Sequence, residues 1–423
     1  MIKKLKDVSA INEKTISSKS NSSTIYYIDI ASVENGFVTG EQEINFSDAP
    51  TRARRIVRNN DILISTVRPN LRHYAFIKNV KENTIASTGF AVISCKKINP
   101  RFLYYFLTSN YVTEYLSTIA ESHTSTYPSF PPEILEELNV PYPSITEQDK
   151  IADILGSLDD KIELNRQMNL ALESMARAIF KSWFVNFDPV YAKMESRDYP
   201  LPPEIMDLFP DELEESELGL IPKGWRVSEI GSVSQIIDCL HSKKPIWIEE
   251  KTGNILLQLS NISENGLLDL SDVFWISDKD YKKWISRIEV NEGVSIITNV
   301  GRVGAAARIP KGVKAALGRN MTAIKLNSEF PYDVFLILLL KSNFFKKEIQ
   351  NKTDTGTILD SLNVRNIPNL RFLYSNKKIL IYFEGVVEPI WKKMETNLQQ
   401  NLQLINLRDT ILPKLVNGEI ILG

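Results

Sequence analysis

Apolar residues return along this chain with two different periods, and the alternation between them divides it into halves. Short β-branched runs come first in each half: Tyr26 to Ile30, Asp61-Ile62-Leu63-Ile64-Ser65-Thr66 and Phe90-Ala91-Val92-Ile93, then Ile255 to Leu259, Gly293-Val294-Ser295-Ile296-Ile297-Thr298 and Thr322-Ala323-Ile324-Lys325. Each predicts a strand. Glu34-Asn35-Gly36 recurs as Glu264-Asn265-Gly266, and the Asn-Gly step predicts a tight turn after the first strand of each set. An apolar run of helical length follows the strands in both halves, Phe102 to Tyr111 after Pro100 and Phe335 to Phe344 after Pro331. The same features in the same order, about 230 residues apart, mark a duplicated unit far longer than any solenoid repeat.

Each half closes on a longer period. Leu158, Ile162, Asn165, Asn169, Leu172, Ala176, Ile179 and Trp183 alternate steps of four and three, the seam of a coiled coil. Ile390, Met394, Asn397, Asn401, Leu404, Arg408, Ile411 and Leu415 repeat the spacing, with asparagine at the same two seam positions. Such stripes commonly pack each helix on its own domain. A seam asparagine costs stability unless it meets a polar partner, however, so matching asparagine pairs predict that the two helices pair with one another. Arg408 stands where the first seam has Ala176, which places the local register in question, and the second pattern is less regular upstream of Pro389. Ser144-Ile145-Thr146-Glu147 predicts a capping box; Gly156 and Gly385 predict a break before each main helix, and Pro413 a kink or stop.

The reading is an α/β (mixed α+β) chain: a globular domain at 1–145, a helical region at 146–187, a second globular domain at 223–375 and a second helical region at 376–423. Between them, 188–222 carries Pro189, Pro200, Pro202, Pro203 and Pro210 among acids and predicts an extended, solvated linker.

Composition changes this picture little. The 423 residues, 43% hydrophobic and 24% charged, exceed one comfortable core. Met1-Ile2-Lys3-Lys4-Leu5-Lys6 does not open a secretory signal, and Val334 to Leu340 is far shorter than a membrane span, so a cytoplasmic protein is expected. Cys95 and Cys239 stand apart without histidines at ligand spacing; core thiols are expected, and neither a disulfide nor a metal site.

Charge changes it more. A formal net charge of −2 argues against a nucleic-acid partner, yet Asp198, Glu204, Asp207, Asp211, Glu212, Glu214 and Glu215 crowd the linker and mask a basic balance elsewhere. From Ile62 to Lys81 there is no acid, but there are Arg68, Arg72, Lys78 and Lys81, preceded by Arg52, Arg54, Arg55 and Arg58. From Gly293 to Ser328, again acid-free, come Arg302, Arg308, Lys311, Lys314, Arg319 and Lys325. Such stretches suit phosphates, and Arg68, Asn70 and Arg72 in one half, with Asn299, Arg302 and Asn320 in the other, suit base edges. The candidate DNA contacts are therefore Arg54, Arg55, Arg68, Asn70, Arg72, Asn299, Arg302, Arg308, Arg319 and Asn320. A surface lysine or arginine is more commonly just solvated.

Catalytic signatures do not emerge. No G-x-x-x-x-G-K-[ST] phosphate loop is present, and Gly301-Arg302-Val303-Gly304 lacks the third glycine and the distal acid of a dinucleotide loop. Asp188-Pro189-Val190 lacks the second proline and aromatic of an amino-methyltransferase motif and reads as a helix stop. Pro210-Asp211 is followed by no E-x-K strand. His73, His123 and His241 fall far apart and read as surface or turn residues.

The chain resembles the specificity subunits of Type I restriction-modification systems along essentially its whole length. The resemblance rests on Glu147 to Ala152 through Leu158 to Asn165, on Phe180-Lys181-Ser182-Trp183-Phe184-Val185-Asn186-Phe187-Asp188-Pro189, on Pro222-Lys223-Gly224-Trp225, and on Arg408 to Leu415. It implies that the globular domains are target-recognition domains, each reading part of a split double-stranded DNA sequence, and that the helices form an antiparallel coiled coil. It further implies, as partners, two modification subunits that bind S-adenosylmethionine and methylate adenine, and restriction subunits that use ATP with Mg to translocate and cleave DNA. This chain is then expected to carry no cofactor and no catalytic site of its own. A seam from Leu158 to Trp183 would span about 39 Å at 1.5 Å per residue, comparable with the roughly 34–36 Å of a DNA turn. Two other readings fit parts of the pattern: a restriction-methylase fused to recognition domains, which the missing cofactor motifs oppose, and a coiled-coil scaffold without DNA, which leaves the matched basic stretches unexplained.

Overall fold

The computed structural model describes residues 1–16, 24–34, 36–123, 127–354 and 360–420; Asn35 of the first predicted turn and the side chain of His123 lie outside that set. The chain resolves into two units, Met1–Ile162 with Gln403–Gly423, and Glu163–Leu402.

In the first unit, Ile62–Ser65 and Phe90–Cys95 are β-branched and apolar enough to be buried at most positions, and they form the middle of a four-stranded antiparallel sheet. Ser9–Ile11 and Tyr74–Phe76 are its edges. A second sheet runs in the order Gln42–Asn45, Thr24–Ile28, Thr84–Ser87, Ala53–Ile56, with its central pair parallel. Asn99 caps the helix Pro100–Leu107, its side chain accepting the Phe102 amide at 3.0 Å, and proline occupies the first turn where no donor is needed. Phe102 through Leu107 are all buried, which gives this short helix its hold on the core.

The second unit repeats this wiring. Ser234–Asp238, Met321–Leu326, Ser295–Thr298 and Ala306–Arg308 form the four-stranded sheet in the corresponding order. Ile255–Leu257 again lies parallel to a central strand, Ala315–Leu317, whose other neighbour, Glu289–Val290, is antiparallel. The register repeats as well: Ser65 faces Phe90 in one unit and Ile297 faces Thr322 in the other. Gly36 and Gly266 both take positive φ, 98° and 84°, at the tight turns the Asn-Gly steps predict. The helix Asp333–Lys341 buries every residue from Val334 to Leu340. Among the described residues no helix is long and apolar enough to cross a membrane.

Two helices of 40 residues each, Ile145–Phe184 and Lys377–Val416, carry the seams. The capping box forms: the Glu147 amide donates to Ser144 Oγ at 3.3 Å and the Ser144 amide to Glu147 Oε2 at 3.0 Å. The expected breaks at Gly156 and Gly385 do not occur. At Gly156 the missing Cβ admits the Arg101 guanidinium, which would lie 2.5 Å from that atom. Gly385 stands four residues before Pro389, where the proline ring would meet the preceding turn, and the helix runs on through both. Pro413 falls in the last turn, and the helix ends three residues later at Val416. Phe187, at φ 58°, terminates the exit from the first long helix.

The solvated-linker expectation for 188–222 is corrected. This stretch forms the helices Asp188–Met194 and Pro203–Met206 and the hairpin Leu213–Ser216 with Gly219–Pro222. Its scattered apolar residues Val190, Phe209 and Ile221 are buried in one cluster with Trp183, Phe187 and Trp225, and Trp183 meets Phe209 edge-to-face at 5.6 Å. Prolines here bend a packed chain rather than extend a free one.

Candidate nucleic-acid interface

Within the second unit the long helices run antiparallel. Asn165 donates to Asn401 Oδ1 at 2.8 Å and to Gln400 Oε1 at 2.8 Å, while Asn397 donates to Asn169 Oδ1 at 2.8 Å and Asn169 to the Met394 carbonyl at 3.0 Å. The first asparagine of one seam thus meets the second of the other, around Met394. Within the first unit, Ile151, Leu155, Leu412 and Leu415 share one apolar cluster. Arg408, the seam residue out of pattern, is satisfied there by Asp159 at 2.8 Å, which also accepts the Tyr105 hydroxyl at 2.7 Å.

Loops gather at one end of each four-stranded sheet. In the first unit the end is set by the Ser65–Phe90 pair, beyond which Thr66 donates from both its amide and its hydroxyl to the Gly89 carbonyl. The turn Pro69–Leu71 lies between Arg68 and Arg72, both left-handed at φ 48° and 56°. For non-glycine residues that conformation costs about 1–2 kcal/mol each, so the surrounding structure must hold it. It does so through the Arg68 amide on the Pro128 carbonyl at 2.7 Å and the Arg72 amide on the Pro69 carbonyl at 3.0 Å. Arg68 and Asn70 are exposed, with the Arg68 guanidinium 4.9 Å from the Tyr127 ring centre. Arg72 is half-buried and donates to Asn110 Oδ1 at 2.7 Å. Arg52 is at the same end, its carbonyl accepting the Thr88 amide, and Arg54 and Arg55 follow, half-buried, on Ala53–Ile56.

The second unit gathers the corresponding loops where Thr298 faces Met321 and Asp238 faces Thr322. Here the left-handed residues of the loop are not arginines four apart, as in the first unit, but glycines three apart, Gly301 and Gly304 at φ 86° and 79°. Arg302 between them is exposed, with one donor on the Ile262 carbonyl at 2.9 Å, and Arg319 and Asn320 are exposed on the neighbouring turn. A cavity of about 680 Å³ opens beside Gly301 and Gly304, lined by Arg177, Arg302, Lys341 and Lys346 with Glu264 and Asp360 opposing. Burial pushes the Lys341 ammonium down to about 8 against the pull of Glu173.

Two expected contacts are corrected. Arg308 is 2% exposed and holds Glu395 at 2.6 Å through Nη1 and Asp333 at 3.0 Å through Nη2, with Trp391 Nε1 donating to the same Glu395 oxygen; these two nitrogens serve the fold. Asn299 is 5% exposed, accepts the Thr322 hydroxyl at 2.9 Å and donates to the Leu362 carbonyl. The acid-free stretches also acquire acids from a distance, Lys78 pairing with Asp160 at 2.6 Å and Lys81 with Glu41 at 3.1 Å. Sequence reading missed Tyr127 under Arg68 and the anchoring of Arg408 by Asp159, since each partner lies far along the chain.

Burial pushes the Cys95 thiol up to about 12, with nearby Asp61 adding to it, as suits a core thiol. Cys239 is buried where Cys95 is half-buried, and the fold sets it with Asp238 and His241 so that one ligand atom from each lies within 4.8 Å of the others. His241 Nε2 is 2.6 Å from Asp238 Oδ2, and the Arg287 guanidinium, 3.6 Å from that oxygen, opposes a second cation there. His73 lies 2.5 Å from the Val33 carbonyl, a structural contact.

Residues 1–174 match the family model of the Type I restriction modification DNA specificity domain. The chain is 30% identical over 427 residues to the Type I restriction enzyme HindI specificity subunit of Haemophilus influenzae, covering 89% of this chain and 90% of that one. It is 27% identical over 398 residues to the MjaIX specificity subunit of Methanocaldococcus jannaschii, covering 93% and 85%. In fold it is similar to the crystal structure of the Type I restriction-modification S subunit from M. genitalium, at a TM-score of 0.57 and 14% identity, covering 98% of this chain and 96% of that one.

Proposed function

Because this chain belongs to the family of Type I restriction-modification specificity subunits, we propose that its two units each read one word of a split, asymmetric double-stranded DNA target. The observation that carries the reading is the repeated sheet end. The same strands, in the same register, present loops of different chemistry: Arg68-Pro69-Asn70-Leu71-Arg72 in one unit, Gly301-Arg302-Val303-Gly304 with Arg319-Asn320 in the other. A shared frame with unlike loops is what two different words require, because specificity comes from side chains at base edges while the frame sets their register.

In this reading Arg68, Asn70, Arg302, Arg319 and Asn320 face base edges or phosphates directly. Arg72, Arg54 and Arg55, half-buried, contribute through the outer ends of their side chains. The chemistry belongs to the partners: two modification subunits supply S-adenosylmethionine-dependent methylation of adenine, and restriction subunits supply ATP- and Mg-dependent translocation and cleavage. This chain contributes no catalytic group and acts in the cytoplasm, where those partners meet DNA.

Co-expression with the adjacent modification and restriction genes, followed by long-read mapping of N6-methyladenine, tests the reading. A split, asymmetric methylated motif that disappears on deletion of this gene is expected. An unchanged methylation pattern after deletion, despite an assembled complex, would overturn it.

A further inference from the structure

The segment Leu240 to Ile248 leaves the second unit's sheet at the end that bears Arg302, Arg319 and Asn320. It follows Asp238, which faces Thr322, and the Cys239 amide donates to the Met321 carbonyl at 3.2 Å. Both ends of the segment are tied down: Arg287 donates to the Cys239 carbonyl at 2.8 Å, and the Ile248 amide to the Trp275 carbonyl at 3.1 Å. Its tip is not. Ile246 is 82% exposed and Trp247 50% exposed, two adjacent large apolar side chains on an anchored loop. Among the described residues Trp247 stacks on no aromatic ring, while the core tryptophans Trp183 and Trp225 each meet several. Lys243 and Lys244 immediately precede the tip and are exposed, Lys244 lying 4.3 Å above the Phe274 ring. Pro245 stiffens the step between the lysines and the apolar pair.

An apolar pair held out in water beside two lysines fits a surface that offers phosphates and, where a base step is opened from the groove, flat apolar base faces, which duplex DNA supplies. We propose that Ile246 and Trp247 form a wedge that enters the groove and unstacks a base step of the word read by this unit, with Lys243 and Lys244 on the flanking phosphates. The proposal rests on the DNA-reading function above. The acids Glu249 and Glu250 lie beyond the Ile248 anchor, so the leading side of the tip is cationic and apolar.

The complex of this chain with its modification subunits, and duplexes carrying the mapped target with 2-aminopurine stepped through the word, test it. Wild type is expected to raise 2-aminopurine fluorescence at one step. Ile246→Ala with Trp247→Ala abolishes that rise and lowers affinity about tenfold, with the salt dependence unchanged. Lys243→Ala with Lys244→Ala instead lowers the slope of log K against log salt by about 1–2 and keeps the fluorescence change. Ile246→Leu with Trp247→Phe restores both. Wild-type affinity and fluorescence in the double alanine variant overturn the wedge alone. Loss of the modification subunits from that variant, with no fluorescence change in wild type, overturns it in favour of protein docking. Wild type without any sequence-specific binding overturns the DNA reading and the wedge together.

Discussion

Arg302 and Arg308 stand six positions apart and have opposite fates. Arg308 points into the unit and neutralises two carboxylates; removing it strands Glu395 and Asp333, and breaking a buried pair in this way costs about 3–5 kcal/mol. Arg308→Ala is therefore expected to lower the unfolding midpoint sharply, whereas Arg302→Ala leaves it in place and lowers the salt slope of DNA binding by about 1; thermal melts and salt titrations of both variants check this. Glu384 offers a pH signature. Burial, opposed by the amides of Val334 and Phe335 and reinforced by Asp333, pushes its carboxyl up to about 8 from 4.5. Between those values the folded chain keeps a proton that the unfolded chain has released, so this contribution to stability is present below the lower value and is lost as pH rises toward the upper one. Glu384→Gln removes the titration and keeps an acceptor for one of the two amides, a loss that does not vary with pH. The Tm difference between variant and wild type should shift in the variant's favour from about pH 5 to about pH 8, and a difference constant with pH would refute the assignment.

In the helices, the asparagine ladder exchanges stability for register. Asn169 and Asn397 are buried and joined by one hydrogen bond, so Asn169→Ala strands the Asn397 amide donor and Asn397→Ala the Asn169 side-chain oxygen, each at a cost of about 1–3 kcal/mol. The double variant should cost less than the sum, a coupling that a denaturation cycle measures directly. The two helical glycines should respond in opposite ways. Gly385 has open space where a Cβ would stand, so Gly385→Ala is expected to stabilise the chain by up to about 1 kcal/mol. Gly156 has the Arg101 guanidinium there, tied to Asp160 at 2.5 Å, so at that position the gain in helix propensity is offset by displacement of the ion pair. Unfolding midpoints of the two alanine variants distinguish the cases.

For the whole molecule, duplication makes the halves of the target separable. Exchanging 223–375 for the corresponding segment of another specificity subunit should change one word of the methylated motif and leave the other, as read by long-read methylation mapping; a change in both words would refute independent reading. The duplication, the strands, the capping box and the asparagine seams were all legible in the chain, because each rests on local period or on short spacing. The correspondence of residues 61–66 with 293–298 and of 90–93 with 322–325 could be aligned before any fold was known. The pairing of Ser65 with Phe90 and of Ile297 with Thr322 was set by the fold, since alternation along a strand determines which residues share a face and not which strand lies alongside. Other features were not legible. The acid-free stretches looked cationic, but Glu395, Asp333, Asp160 and Glu41 reach Arg308, Lys78 and Lys81 from other parts of the chain, and net charge along a sequence says nothing of which carboxylate a fold will bring near. The proline-rich 188–222 looked like a linker because its apolar residues have no period; it is the fold that brings Trp183 and Trp225 against Phe209. By itself, then, the sequence determined that the chain is a repeated strand-and-helix unit with pairing helices, since periodicity is a property of neighbours. Which of its arginines are buried in ion pairs and which are exposed was decided only by the tertiary structure, because burial and ion pairing depend on residues that sequence distance separates.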